Sequence, residues 1–439
     1  MAKHVSSQQH TTIDAKSNRL QALSRKIFQH PLFIGIIIVA GIVVAITSAS
    51  AGGSRIGVRF GLDGAATTGT ASTVGNVLTF NNATTSPPVA NGKFYIVGKD
   101  IVDPQGKIFY PMGANIAVRV NNWENGYTFN WNGTGTGRSQ DVLNWGWNTV
   151  RPNNICNLST NPSQQQLFDA VDAFIDEYTA KKIVVMVDCH DLTGKNPSVS
   201  TPELYGAYAM QDHLANKYKN NPYVWFNVLN EPQADGGPAA SANWLALQKQ
   251  TLARLRAIAP NNIYVADIPR YGQGVDTLTG TDSVLGLGAG QCNVLYSWHA
   301  YGAVGPFEGY ANETKSRQNH KNAIEYLKNN NVPVVIGELG DPLTLNEGTA
   351  GQPIWNRIGA YAVMDYAPSN GIGLLWWHAT GDSGNFLTYS LMADRHAAPW
   401  SAGLTGQGLS TAGQKFWQIS KNKPNLGTFT GDLSKSNCK

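Results

Sequence analysis

Eight short apolar runs punctuate residues 110–378 of this 439-residue chain, ending near Asn115, Arg151, Asp188, Asn230, Asp267, His299, Glu338 and Trp377. They are too short for buried helices and rich in β-branched residues, which marks them as strands. Amphipathic stretches lie between them. Ser163 stands as an N-cap with Gln166 at the capping-box position, and Leu167, Val171, Phe174, Ile175 and Tyr178 follow on one helical face. Leu245, Leu252, Leu255 and Ile258 repeat the pattern, as do Ile324 and Leu327, and a last helix at 410–419 would bury Phe416 and Trp417. The first and fifth helices are weakly marked. Repeated βα units build a parallel sheet. Eight of them across roughly 330 residues predict a TIM (β/α)8 barrel with long loops. A doubly wound sheet would want a glycine-rich phosphate turn after its first strand, which Gly113-Ala114-Asn115 does not supply.

The chain before the barrel is organised differently. Residues 1–31 carry five cations (Lys3, Lys16, Arg19, Arg25, Lys26) and one anion (Asp14), which accounts for the whole net charge of +4. The remaining 28 cations and 28 anions balance. A neutral body lacks the basic face that phosphate neutralisation needs, so no nucleic-acid partner is expected. Residues 32–46 contain no polar side chain, and the stretch continues through small residues to Ala51. That is about the 20 residues a helix needs to span a bilayer. Behind a basic tail, it predicts a transmembrane signal anchor over 32–51, with 1–31 cytoplasmic and the barrel outside. The competing reading is a signal peptide cleaved after Ala51, which would make the protein secreted.

Residues 52–92, rich in Gly, Ala, Thr, Ser and Asn, read as a linker with one short strand at 76–80. The barrel domain is expected over 93–426, opening on a hairpin in which 94–97 and 107–110 flank the turn Asp103-Pro104-Gln105-Gly106. Residues 427–439 read as a tail. Cys156, Cys189, Cys292 and Cys438 match no metal-site spacing. Cys156 and Cys189 fall on neighbouring strand ends and either pair or remain thiols.

Chemistry in such a barrel gathers at the carboxyl ends of the strands. Two glutamates follow apolar strands directly: Glu231 in Asn230-Glu231-Pro232 and Glu338 in Gly337-Glu338-Leu339. A carboxylate beside a core must be paired or solvated, and that cost suggests work. Two facing carboxylates in an aromatic-lined cleft are what glycoside hydrolysis requires, one as proton donor and one as nucleophile. Other strand ends deliver Arg151, His190 within Asp188-Cys189-His190-Asp191, His299 and Tyr301 within His299-Ala300-Tyr301, and Trp376-Trp377. Asp188 and His190 point the same way by alternation but lack a third ligand, so no metal site is expected. Trp131, Trp145 and Trp147 stay open between core and substrate platform.

These residues carry a resemblance. Residues 93–425 resemble glycoside hydrolase family 5, the cellulase-type retaining hydrolases built on a TIM barrel. The match rests on Asn230-Glu231-Pro232 after strand four, Gly337-Glu338 after strand seven, Arg151 on strand two, His190 after strand three, His299 and Tyr301 on strand six, and Trp377 on strand eight. The resemblance implies that Glu231 is the acid/base and Glu338 the nucleophile. Asn230 would bind the sugar 2-hydroxyl, Tyr301 would position Glu338 and Arg151 would lower its pKa. His190 and His299 would complete the wall, and Trp377 would stack on a sugar. Only one of Trp376 and Trp377 can face the cleft. The carboxyl groups of a retaining enzyme lie about 5–5.5 Å apart. The implied substrate is a polysaccharide, with internal β-1,4 bonds of cellulose-type glucans first. Mannan and β-1,3-glucan hydrolases, a membrane-tethered transglycosylase and a non-catalytic glycan-binding barrel are the alternatives. No cofactor is implied, since two carboxylates and a water suffice.

Overall fold

The computed structural model describes residues 92–117, 137–156, 163–202, 204–280, 282–301, 313–340, 352–379, 390–394 and 397–438, with six short strands between Ile36 and Phe80. Two compact units divide at Ser86 and Pro87. In the first, Ile36–Val39, Ile42–Ala45, Phe60–Leu62 and Ala65–Thr67 form one antiparallel sheet, while Ala71–Val74 pairs with Val77–Phe80. The spanning helix expected over 32–51 is therefore corrected at its described residues. Ile36 opposes Ala45 and Val39 opposes Ile42 in a strand pair. The β-branched residues that fill this run favour strand over helix. The rest of 32–51, like the basic tail 1–31, lies outside the described residues, and no described helix is long and apolar enough to cross a membrane. The stretch read as a linker holds four strands where one was expected.

The second unit is the predicted barrel. Eight strands close in sequence order, all parallel: β1 (Met112–Ala117), β2 (Thr149–Asn153), β3 (Val184–Asp188), β4 (Val224–Asn227), β5 (Tyr264–Asp267), β6 (Val294–His299), β7 (Val334–Leu339) and β8 (Gly373–Trp376). The connecting helices are α1 (Ser139–Trp145), α2 (Gln164–Ala180), α3 (Leu204–Tyr218), α4 (Pro238–Arg256), α5 (Glu313–Asn329), α6 (Gln352–Tyr366) and α7 (Thr411–Lys421). The weak first helix has only seven residues, and two 3₁₀ turns, Val275–Leu278 and Leu285–Leu287, replace the fifth. Ser163 caps α2 through the full capping box, and the five predicted apolar residues of that helix are buried. In α4 the buried face is instead set by Trp244, Leu247, Leu252 and Leu255, and Ile258 falls beyond the helix end.

Period-two alternation sorts the strand side chains into two layers. Val184, Met186, Trp225, Val265, Leu295, Val335 and Leu375 share one cluster with Phe94, Ile96 and Ile101, which fill the barrel's lower interior. Their alternate neighbours pack outward against the helices. Following the inward parity to the strand ends gives Asn115, Arg151, Asp188, Asn227, Asp267 and His299, all fully buried. An apolar floor thus supports a polar upper layer.

The hairpin below the barrel differs from expectation. Tyr95–Val97 pairs with Asp100–Val102 around Gly98 and Lys99, and the Asp103–Gly106 turn closes only an isolated bridge between Val102 and Ile108. Residues 427–438 are no free tail, since Thr428 bridges Lys107 and Cys438 is disulfide-bonded to Cys292. Cys156 and Cys189 are bonded as well. Trp145 and Trp147 belong to the core, stacked 4.7 Å apart, whereas Trp131 lies outside the described residues.

Candidate active site

Strand β7 brings Glu338 into the site through an irregularity. Val335 faces inward, so strict alternation would turn Glu338 outward. The pairing with β6 runs Trp298–Ile336 and then His299–Glu338, skipping Gly337, and the pairing with β8 slips at the same place. This bulge re-aims Glu338 into the barrel mouth. It needs glycine: a Cβ on Gly337 would lie 2.1 Å from Ser297 Oγ. The Gly337 carbonyl accepts 2.9 Å from Asn115 Nδ2, which pins the bulge to β1.

Arg151 is fully buried and organises the polar layer. Its Nη1 lies 2.7 Å from Glu338 Oε1, 2.8 Å from Asp188 Oδ2 and 2.9 Å from Asn115 Oδ1. Nη2 donates to Asn230 Oδ1 at 2.6 Å and to Asp267 Oδ2 at 3.1 Å, and Nε donates to Asn227 Oδ1 at 2.7 Å. One cation thus faces three carboxylates. Tyr301 Oη donates 2.9 Å to Glu338 Oε2, so both oxygens of Glu338 are held.

Glu231 follows β4 at a positive φ of 43°, its backbone N–H donating 3.2 Å to Asp267 Oδ2. His299 Nδ1 is 2.7 Å from Glu231 Oε1 and 3.5 Å from Glu338 Oε2, and its Nε2 is 3.3 Å from Asp267. Asn230 Nδ2 donates 2.7 Å to Thr193 Oγ1. His190 pairs with Asp188 at 2.7 Å and stacks on Trp377. Trp377, half-buried, is therefore the tryptophan at the cleft, while Trp376 is buried against Phe416. All eight residues predicted from the sequence come together here. The sequence reading missed Asn115, Asn227 and Asp267 and gave Asp188 no role, although the inward parity of their strands would have found them.

The electrostatics follow from one crowded volume. Burial draws the His299 imidazole down, but the charges of Glu338 and Asp267 and hydrogen bonds to Asp267 and Glu231 outweigh it, raising His299 to about 10. His299 is thus an imidazolium at neutral pH. Burial also opposes the charge of Asp267, yet His299 and Arg151 hold it well below the usual carboxylate range. Glu338 departs from expectation. Burial and the neighbouring Glu231 raise it, and the downward pull of His299 and Arg151 does not fully offset them.

Two groups have metal-ligating atoms in reach of one another among the described residues. Cys156, Cys189 and Asp191 form one, but its sulfurs are joined to each other. Glu231, His299 and Glu338 form the other, all three buried and with donor atoms within 4.8 Å of one another.

A parallel eight-stranded barrel with two glutamates at its mouth, one held by Arg and Tyr and the other by His, defines a glycoside hydrolase. Residues 103–383 match the family described as Cellulase (glycosyl hydrolase family 5), and the chain belongs to that family. It is 25% identical over 297 residues to the mannan endo-1,4-beta-mannosidase of Streptomyces lividans, covering 67% of this chain and 68% of that one. The enzyme of the same name from Cellvibrio japonicus is 24% identical over 70% of this chain and 64% of its own length. Endoglucanase A of Butyrivibrio fibrisolvens is 24% identical over 57% and 52%. The chain thus spans about two thirds of those mannosidases and half of that endoglucanase. The solved catalytic domain of a mannanase from Streptomyces sp. SirexAA-E superposes with a TM-score of 0.54 at 19% identity, covering 80% of this chain and 99% of that one.

Proposed function

We propose that this chain is a retaining endo-acting hydrolase of β-1,4-linked hexose polymers, with mannan as its first substrate. The observation that carries the mechanism is the separation of the glutamates. One oxygen of Glu231 and one of Glu338 lie within 4.8 Å of each other, which supports the close carboxylate pair of a retaining enzyme. In the first step a Glu338 oxygen attacks the anomeric carbon, and the glycosidic oxygen departs with the proton of Glu231. In the second, water attacks that carbon, gives a proton back to Glu231 and frees Glu338. Arg151 and Tyr301 fix the attacking carboxylate, and the 2.7 Å bond from His299 holds Glu231 in place for both proton transfers. Asn230, held by Arg151 and Thr193, is placed to meet the 2-hydroxyl, and Trp377 offers a ring for the sugar.

The two mannosidases support mannan, which displaces cellulose-type glucan from the first position it holds in the sequence reading. Glucan is the second reading, favoured by the relatives named endoglucanases. Assay of residues 87–439 on mannan, glucomannan, soluble cellulose derivatives and β-1,3-glucan separates them. Equal turnover of mannan and glucan would overturn the mannan assignment, inversion at the new reducing end would overturn the mechanism, and transfer to an added sugar acceptor exceeding hydrolysis would make the chain a transglycosylase. Two disulfides support a place outside the cytoplasm. A topology reporter fused after residue 92 is expected to report export. A cytoplasmic result would refute that placement.

A further inference from the structure

The loop after β5 presents an aromatic ring that the site described above does not use. Arg270, Tyr271 and Gly272 stand consecutively in the left-handed region, at φ 59°, 58° and 68°. That conformation is costly for any residue but glycine, and two side chains bear it here. The loop is held from several directions. Arg270 N–H donates 2.6 Å to the Gln233 carbonyl, its guanidinium pairs with Asp276, and His299 N–H donates 2.7 Å to the Gly272 carbonyl. The outcome is a Tyr271 ring left 42% exposed, lying over Gly194 so closely that a Cβ there would sit 2.4 Å from Tyr271 Cε1. Gly194 N–H donates to the Glu231 carbonyl at 3.3 Å, and Gly272 backs directly onto His299, the partner of Glu231. The ring thus lies beside the backbone that presents Glu231. Tyr301 and Trp377, by contrast, touch Glu338 and His190.

We propose that Tyr271 is the platform for the departing sugar, stacking on the β-1,4-linked hexose on the leaving-group side of the scissile bond. This rests on the reading of Glu231 as acid/base. A proton donor must touch the bridging oxygen, so the surface flanking that donor meets the sugar that oxygen leaves with. The surface flanking Glu338 meets the sugar that becomes attached. A flat exposed ring suits the C–H face of a hexose, and Gly194 leaves room for it to lie flat.

The test compares Tyr271→Ala and Tyr271→Phe on two substrates made from the best sugar. One is a defined oligosaccharide that fills both sides of the bond. The other is the matching β-glycosyl fluoride, whose small leaving group occupies no sugar position and needs no protonation. Tyr271→Ala is expected to lower kcat/KM on the oligosaccharide roughly tenfold more than on the fluoride, and to reduce transfer to an added sugar acceptor likewise. Tyr271→Phe is expected to keep most of the activity on both. Equal losses on the two substrates, or no loss on the oligosaccharide, would overturn the proposal. Failure of the underlying reading looks different: the parent enzyme would then leave the fluoride intact, or Glu338→Gln would hydrolyse it as fast as the parent.

Discussion

Asp267, which the sequence reading did not single out, ties Arg151, Asn227, Glu231 and His299 together. It receives Arg151, Asn227 and the Glu231 backbone and lies beside His299 Nε2. With Glu338 it supplies the charge that holds His299 protonated. Asp267→Asn is therefore expected to move the His299 titration down from about 10 toward neutrality, drawing the alkaline limb of the pH–activity profile with it. The other carboxylates facing His299, Glu231 and Glu338, stay in place. An NMR titration of the imidazole beside the pH profile checks this, and an unmoved His299 would refute it. Glu231 and Glu338 were legible in the sequence because each follows an apolar strand directly within a short motif, Asn230-Glu231-Pro232 and Gly337-Glu338, and Arg151 became legible only through the resemblance those motifs carry. Asp267 also ends an apolar strand but stands in no such motif, and Asn115 and Asn227 look like ordinary strand ends one at a time. Their meaning lies in sharing inward parity with their neighbours, which only the closed barrel brings to one place.

At the scale of elements, the strand ends were readable to within a few residues, because short apolar runs between amphipathic helices leave few alternatives. What escaped was local geometry. The bulge at Gly337 changes which face Glu338 occupies, and no periodicity announces it, since the bulge is the point where periodicity fails. Gly337→Ala would drive a methyl into Ser297 and approach His299 Nε2 at 3.2 Å. The expected result is a loss of about 1–3 kcal/mol in urea unfolding, with kcat falling further than KM rises as Glu338 shifts. Unchanged kinetics would show that the bulge does not set the position of Glu338. The apolar run at 32–51 misled for another reason. Length and hydropathy suggested a helix, but the Ile and Val that make it apolar are also strand formers, and its described residues pair as strands.

Among the described residues of the whole molecule, four buried histidines oppose one another in pH, His190 and His299 shifted upward and His320 and His378 downward. His299, raised from 6.5 to about 10, adds stability that is complete below pH 6.5 and is lost as the pH climbs toward 10. Burial lowers His320 to about 4 and His378 to about 3. Their contribution is present above 6.5 and is lost as the pH falls toward 3–4. Thermal stability should accordingly peak close to pH 6.5 and decline on both sides. His320→Gln should flatten the acid side alone, and a midpoint still rising at pH 9 would contradict the assignment of His299. The disulfides close separations of 33 and 146 residues, so reduction is expected to cost about 2–5 kcal/mol per bond, read as a lower urea midpoint.

The central claim is that Glu338 becomes covalently bonded to sugar while Glu231 moves the protons. A 2-deoxy-2-fluoro β-glycosyl fluoride of the preferred sugar tests it directly, because the 2-fluorine slows release of the intermediate more than its formation. After brief incubation and proteolysis, mass spectrometry should find one glycosyl unit on the peptide carrying Glu338 and none in the Glu338→Gln variant. An adduct on Glu231 or on any other residue would contradict the account.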